Sequence, residues 1–306
     1  MTATTSTLRI RPDDRYPSRV GTGSGIRPRV DPVVWGDHRG PLHEDRLAGF
    51  AHDGFLQEPG LFSTDEVEAF NAELDRLARD EHVRATPQAI IEPDSAELRS
   101  VFDVHRSSAV FQALSKDPRL VEVARQLLGS DVYIHQSRVN LKPGFRGREF
   151  YWHSDFETWH TEDGMPAMRA VSCSVVLTDN HHVNGPLMVI AGSHKWYVSC
   201  SGETPADHHE QSLRKQEVGT PDDENLAELC RRGQIHGCTG RAGSVTFFDC
   251  NAMHGSNGNI TPLPRRNAFL VFNSVENALT EPFAAPAPRP TYIASRDFTP
   301  VVAPAR

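Results

Sequence analysis

The chain has 306 residues, 38% of them hydrophobic and 24% charged, the composition of an ordinary globular protein large enough to bury a substantial core. Its 40 acidic residues outnumber 32 lysines and arginines, for a formal net charge of -8; with no basic block, that balance argues against wrapping nucleic acid, which needs a positive field. No apolar run reaches the roughly 18 residues of a membrane span, residues 1–6 lack the apolar middle of a secretory signal, and the five cysteines are scattered without a Cys-X-X-Cys pair, so a reduced, cytoplasmic protein with no membrane contact is expected.

Residues 1–35 are rich in Thr, Ser, Arg, Pro and Gly with little periodicity, which reads as a flexible N-terminal arm ahead of a single domain over 36–306. Ser63 followed by Glu66 forms a capping box, and Val67, Phe70, Leu74 and Leu77 then recur at helical spacing, predicting a helix over about 64–81. Asp117-Pro118 opens a second helix that should stop at Gly129. Both carry an apolar stripe and no chemistry, as helices that brace a sheet would.

From Val132 the period changes to two, and one face reads Val132, Ile134, Gln136, Arg138, Asn140 and Lys142. Buried polar groups are costly without partners, so this face is either solvated or lines a polar pocket; its position just before a candidate metal motif favours the pocket. Strand patterns follow over 168–178 and 185–190, then a turn at 192–195. Residues 200–225 are polar and read as a surface excursion or lid. A short helix near 226–232 precedes strands over 244–249 and 267–273, and the Pro/Ala-rich tail from Pro282 should be irregular. Many short strands bounded by Gly and Pro, without an internal repeat, indicate a mainly β fold with flanking helices: a double-stranded β-helix, the jelly-roll or cupin-like core.

The chemistry concentrates in the run from Tyr151 to His160. If that run is extended, His153 and Asp155 project to the same side. His254, opening a Gly/Asn-rich turn after an apolar run, is the best third ligand. Two histidines and one carboxylate leave part of an ion's coordination open, the arrangement of non-haem Fe(II) oxygenases, where a cosubstrate and O2 would bind. Eleven positions on, Arg265 suits bidentate capture of a carboxylate and would hold the far end of a keto-diacid. A helical reading would instead group His153, Glu157 and His160 as a zinc cluster, but the aromatic and β-branched content favours extended chain. Among the other histidines, His181-His182 and His208-His209 read as solvated loop residues, and His194 as structural or near the site. Trp159, Phe150, Phe248 and Phe269 could equally be core or pocket wall.

The run from Phe150 to His160 resembles the signature of ectoine hydroxylases, members of the phytanoyl-CoA-dioxygenase-like superfamily. Asp179-Asn180, the run from Val183 to Met188, Gly192-Ser193-His194-Lys195, the run from Met253 to Asn257, and that from Asn273 to Asn277 are similar too, so the resemblance spans about residues 40–300. It implies that His153, Asp155 and His254 bind Fe(II), and that Arg265 anchors the distal carboxylate of 2-oxoglutarate, aided by Asn140, Phe150, Ser256 and Asn267. It implies an ectoine pocket of Gln136, Arg138, Trp159, Phe248, Phe269 and Arg289. The implied reaction consumes O2 and 2-oxoglutarate, releases succinate and CO2, and converts ectoine to 5-hydroxyectoine; the implied assembly is a homodimer.

Other readings stay open on the residues alone. A related oxygenase acting on another small amino-acid-like substrate would carry the same triad. A halogenating variant would need the iron position that Asp155 occupies. A zinc hydrolase, or a non-catalytic jelly-roll binding protein, would have no need of Arg265 as a keto-acid anchor.

Overall fold

The computed structural model describes residues 11–304 except 22, 37–38, 93–95 and 213–217. Helix Thr64–Arg79 begins as its capping box requires, with Ser63 and Glu66 satisfying each other's backbone N–H groups. It buries Val67, Phe70, Leu74 and Leu77, each worth about 1.5–3 kcal/mol of apolar transfer when fully buried. Helix Pro118–Leu128 is capped by Asp117 and ends at Gly129, φ 62°. Only glycine fits there, because a Cβ would lie 1.9 Å from the Trp35 carbonyl oxygen.

The strands, in chain order, are β1 Gly25–Pro28, β2 Phe55–Glu58, β3 Ala89–Ile91, β4 Leu98–Phe102, β5 Val132–Lys142, β6 Phe150–His153, β7 Ala170–Val176, β8 Leu187–Ile190, β9 Trp196–Ser199, β10 Ile235–Cys238, β11 Val245–Asp249, β12 His254–Ser256 and β13 Arg265–Ser274. A seven-stranded sheet runs β2-β11-β7-β13-β5-β4-β3 and a four-stranded sheet runs β10-β8-β12-β6. Every pairing within them is antiparallel, giving the double-sheet jelly roll with flanking helices that the strand pattern indicates.

The two faces of the large sheet divide the labour. Ala268, Leu270 and Phe272 of β13, with Val139 of β5 and Cys173 and Val175 of β7, join the helical residues Leu74, Leu77, Leu120 and Leu127 in the main apolar core. The opposite face aligns Arg265 with Lys142, Asn267 with Asn140, Phe269 with Arg138, and Val271 with Gln136. Val132 and Ile134, expected on that polar face, instead belong to the main core. The register steps from Phe272↔Ile134 to Val271↔Gln136, so His135 is an extra residue in a β-bulge. One inserted residue exchanges the faces of everything that follows.

Residues 11–35 depart from the flexible arm that composition suggested. Tyr16, Ser18 and Arg19 are buried, and β1 pairs with β9. Arg19 donates to both carboxylate oxygens of Glu157, at 2.9 and 2.6 Å, and to Glu162 at 2.5 Å. Two buried carboxylates need a cation, and the arm supplies it. Residues 1–10, the rest of that expectation, lie outside the described residues. The chain from 278 to 304 contains no helix or strand, as its composition indicated, yet Ile293, Ala294 and Val301 are buried.

Candidate metal centre and active-site cavity

The central motif is extended only through Ser154. β6 ends at His153, and helix Asp155–Thr158 then continues into a π-helical turn, Trp159–Asp163, closed by Gly164 in the left-handed region. The expectation of extended chain through His160 therefore fails in its second half, where Arg19 bridges Glu157 and Glu162 across the turn and overrides local propensity. The helix does not make a zinc cluster either: His160 hydrogen-bonds Asp14 and Glu157 binds Arg19.

His153 and His254 face each other across the β6/β12 ladder, and Asp155 opens the helix beside them. Their donor atoms all lie within 4.8 Å of one another. His153 Nδ1 bonds the Tyr151 carbonyl at 2.7 Å and His254 Nδ1 the Ala252 carbonyl at 2.9 Å. Each carbonyl accepts from Nδ1, which fixes the tautomer and leaves the Nε2 lone pair free. Both Nε2 atoms stand 3.8 Å from Asp155 oxygens, beyond hydrogen-bond reach. Ser172 Oγ donates to Asp155 Oδ2 at 3.3 Å.

Burial, reinforced by His254, pushes the His153 imidazole down to about 4, keeping it neutral. Burial opposes the charge of Asp155, but His254, His153, Arg138 and the Ser172 bond together hold its pKa below the usual carboxylate value. Two imidazoles that present Nε2 and one carboxylate, each oriented by a second hydrogen bond, are a donor set that fits a divalent iron with open positions.

The cavity around these donors is lined by Gln136, Arg138, Asn140, Phe150, Trp159, Ser256, Arg265, Phe269 and Arg289, all singled out in the sequence. Phe248 and Asn267 are not among the lining residues. Phe248 packs its ring 4.9 Å from the His254 imidazole, and Asn267 donates to Ser174 Oγ at 2.8 Å. Arg289 reaches the wall but grips Asp163 with two bonds of 2.8 and 2.6 Å.

Arg265 is different. It is buried, yet it makes no hydrogen bond or ion pair among the described residues, and burial pushes its pKa down to about 10. Among the described residues the Arg138 guanidinium donates only to Gln136 Oε1, at 3.1 Å, and it stacks over Phe269 at 5.1 Å. Gln136 is itself fixed by a bond to the Ile293 carbonyl.

Sequence reasoning missed Ser100, Phe102, Thr158, Glu162, Leu187 and His208 in the lining. His208, expected in solvent, is buried and bonds Glu162 at 2.9 Å, so the 200–225 segment touches the cavity; its residues 213–217 lie outside the described set. Glu162 shares a helical face with Trp159, a signal hidden once the stretch is read as extended. His181 and His182 are exposed as expected. His194 is buried, with Nε2 at 3.2 Å from the Ala51 carbonyl, and plays a structural part.

The model of the phytanoyl-CoA dioxygenase family matches residues 50–267. The chain belongs to that family. Within it, the ectoine dioxygenase of Streptomyces avermitilis is 56% identical over 94% of this chain and 98% of its own, and that of Bordetella bronchiseptica is 54% identical over 95% of each. Among solved structures, EctD from S. alaskensis with 2-oxoglutarate and 5-hydroxyectoine superposes with a TM-score of 0.87 at 48% identity, covering 95% of this chain and 98% of that one. The same protein with bound Fe superposes at 0.85, covering 95% and 97%. This family member thus shares both its fold and nearly its full length with proteins that hold iron and 2-oxoglutarate.

Proposed function

We propose that the chain is an Fe(II)- and 2-oxoglutarate-dependent dioxygenase that hydroxylates ectoine to 5-hydroxyectoine. Ectoine, 2-oxoglutarate and O2 give 5-hydroxyectoine, succinate and CO2: one oxygen atom enters the new hydroxyl and the other the succinate carboxylate. The observation that carries this reading is the pair of arginines, Arg265 buried and Arg138 half-buried, that make no ion pair among the described residues, in a cavity that also holds the triad. A guanidinium withdrawn from water without an anion is costly, so each calls for a carboxylate from outside, and the reaction brings two acids.

His153, Asp155 and His254 would hold the iron, which supplies dioxygen activation coupled to oxidative decarboxylation of the keto acid. Arg265 takes the far carboxylate of 2-oxoglutarate through its planar fork, with Asn140, Ser256 and the Phe150 ring beside it. Arg138 and Gln136 take the ectoine carboxylate. Trp159 and Phe269 face the delocalised amidinium ring, whose positive charge suits aromatic π-clouds. Phe248 braces His254 from behind, Asn267 braces Asn140 across the β5/β13 ladder, and Arg289 holds the Trp159 turn through Asp163.

A cytoplasmic homodimer belongs to the same reading. It is supported by the family resemblance and by exposed Phe145, Ile260 and Leu263, which sit on neighbouring turns joined by the Phe145 N–H bond to the Thr261 carbonyl. Among the described residues no helix is long and apolar enough to cross a membrane.

The test is anaerobic loading with Fe(II) and 2-oxoglutarate, then air with and without ectoine, followed by mass spectrometry. Succinate formed together with a product 16 mass units above ectoine is expected. Succinate without that product would transfer the activity to another small amino-acid-like substrate, and no succinate would overturn the oxygenase reading.

A further inference from the structure

The roles assigned above place the carboxylate of ectoine and the faces of its ring, but give the N–H edge of the ring no acceptor. A protonated cyclic amidine carries a delocalised positive charge and two N–H donors. Entering a wall that already holds Arg138, Arg265 and Arg289, it is costly to bury without an anion. Among the described residues the cavity lining holds two carboxylates, Asp155 and Glu162. Asp155 belongs to the metal triad, which leaves Glu162.

Glu162 follows Trp159 by three residues in the π-helical turn and is buried. Its partners crowd one oxygen: Arg19 Nη1 at 2.5 Å and His208 Nδ1 at 2.9 Å both donate to Oε1. Among the described residues no hydrogen bond reaches Oε2, although a carboxylate oxygen can accept two. Burial opposes the charge, but the His208 bond and the charges of Arg19 and Arg289 hold the Glu162 pKa down to about 2, so the group is an anion at neutral pH. Nor is that charge used up. Arg19 gives two further bonds to Glu157, and Arg289 gives two to Asp163. Three carboxylates in this cluster therefore face two guanidinium groups, and His208 donates through Nδ1 without needing a charge of its own. The cavity has an excess cation at Arg138 and an excess anion at Glu162, a pattern complementary to a zwitterion.

We propose that Glu162 is a substrate-binding residue that selects the amidinium: on the ectoine reading given above, from which this follows, its free Oε2 accepts a ring N–H while Arg138 and Gln136 hold the carboxylate. A ring without positive charge would leave that oxygen desolvated and unpaired, so Glu162 separates zwitterions from simple ring acids. Glu162→Gln reverses the polarity of this edge. Arg19 and His208 keep the amide oxygen at the place of Oε1, which turns the NH2 to where Oε2 stood.

The test is calorimetric titration of anaerobic protein loaded with Fe(II) and 2-oxoglutarate, using ectoine and, as a ring acid without the charge, cyclohexanecarboxylate. Wild type should bind ectoine at least about tenfold more tightly than the neutral-ring acid, and Glu162→Gln should weaken ectoine binding about 10- to 100-fold, the scale of a hydrogen bond to a charged group. In that variant 2-oxoglutarate affinity should stay within about twofold and cyclohexanecarboxylate should bind no more weakly than before. Glu162→Asp, which keeps the charge, should recover part of the ectoine loss. Parallel losses for both ring acids, the mark of a merely structural role, would overturn the assignment. If the Gln variant does not fold, wild type decides: equal affinity for ectoine and cyclohexanecarboxylate would overturn it. Wild-type protein that binds 2-oxoglutarate but no ectoine would overturn the substrate reading itself, whereas ectoine binding that ignores Glu162→Gln would overturn this inference alone.

Discussion

Two sets of guanidinium groups lie in or beside the cavity, and the fold uses them in opposite ways. Arg19 and Arg289 are matched: Arg19 bridges Glu157 and Glu162, and Arg289 grips Asp163. Arg138 and Arg265 sit in the same wall and make no ion pair with a carboxylate among the described residues. The matched set commits its charge to holding the N-terminal segment, the Trp159 turn and the tail together. On the proposed function, the unmatched set keeps its charge for an anion from solution. A buried, unpaired cation weakens a fold unless a ligand completes it, so its presence marks function and its pairing marks structure.

The contrast can be broken by substitution, and the largest effect belongs to the triad both sets surround. His254→Ala should lower product formation by more than about 100-fold, beyond what loss of an outer-sphere partner costs, with iron content falling in parallel. Next come the two arginine classes. Arg19→Met should destabilise the protein by about 3–5 kcal/mol in denaturant titrations, because it strands two buried carboxylates. Arg265→Met should leave stability unchanged or raised, while weakening 2-oxoglutarate binding by about 2–5 kcal/mol; equal stability losses for the two variants would erase the distinction.

A pH series sharpens it further. Glu162 is held down to about 2 from an ordinary 4.5: burial opposes its charge, but the His208 bond and the charges of Arg19 and Arg289 outweigh it. A carboxylate with a depressed folded pKa stabilises the fold fully above its unfolded pKa, and that contribution is lost as pH falls from about 4.5 towards 2. Denaturation midpoints measured from pH 6 to 3 should fall less steeply for Glu162→Gln than for wild type, by about 1–3 kcal/mol over that window. The smallest effect sets the baseline. Ser63→Ala, far from both arginine sets, should cost about 1 kcal/mol through its lost helix cap and leave the affinity for either substrate unchanged.

Much of this molecule was legible in local pattern. The helix after Ser63, the helix between Asp117 and Gly129, and the polar face at Gln136, Arg138 and Asn140 follow from capping chemistry and period, which act over a few residues. The triad was legible for a similar reason: a strand's alternation already brings His153 near Asp155. Where the signal lay in partners distant along the chain, it could not be read. His208 looked solvated because nothing near it in sequence reveals Glu162, and the second half of the motif looked extended because Arg19, which bridges its helical turns, lies 138 residues away from Glu157.

By itself, then, the sequence determined the strand-rich class, the main bracing helices and the residue types of the His153, Asp155 and His254 cluster, because residue type and short spacing are enough for those. Only the tertiary structure decided which cations are paired and which stay free. It alone decided that the bulge at His135 turns Gln136 and Arg138 towards the iron site and Ile134 towards the core, and that the N-terminal segment is part of the cavity's frame. Those outcomes depend on what a side chain meets across space, and electrostatic pairing in a buried site is set by that encounter and not by the neighbours a residue has along the chain.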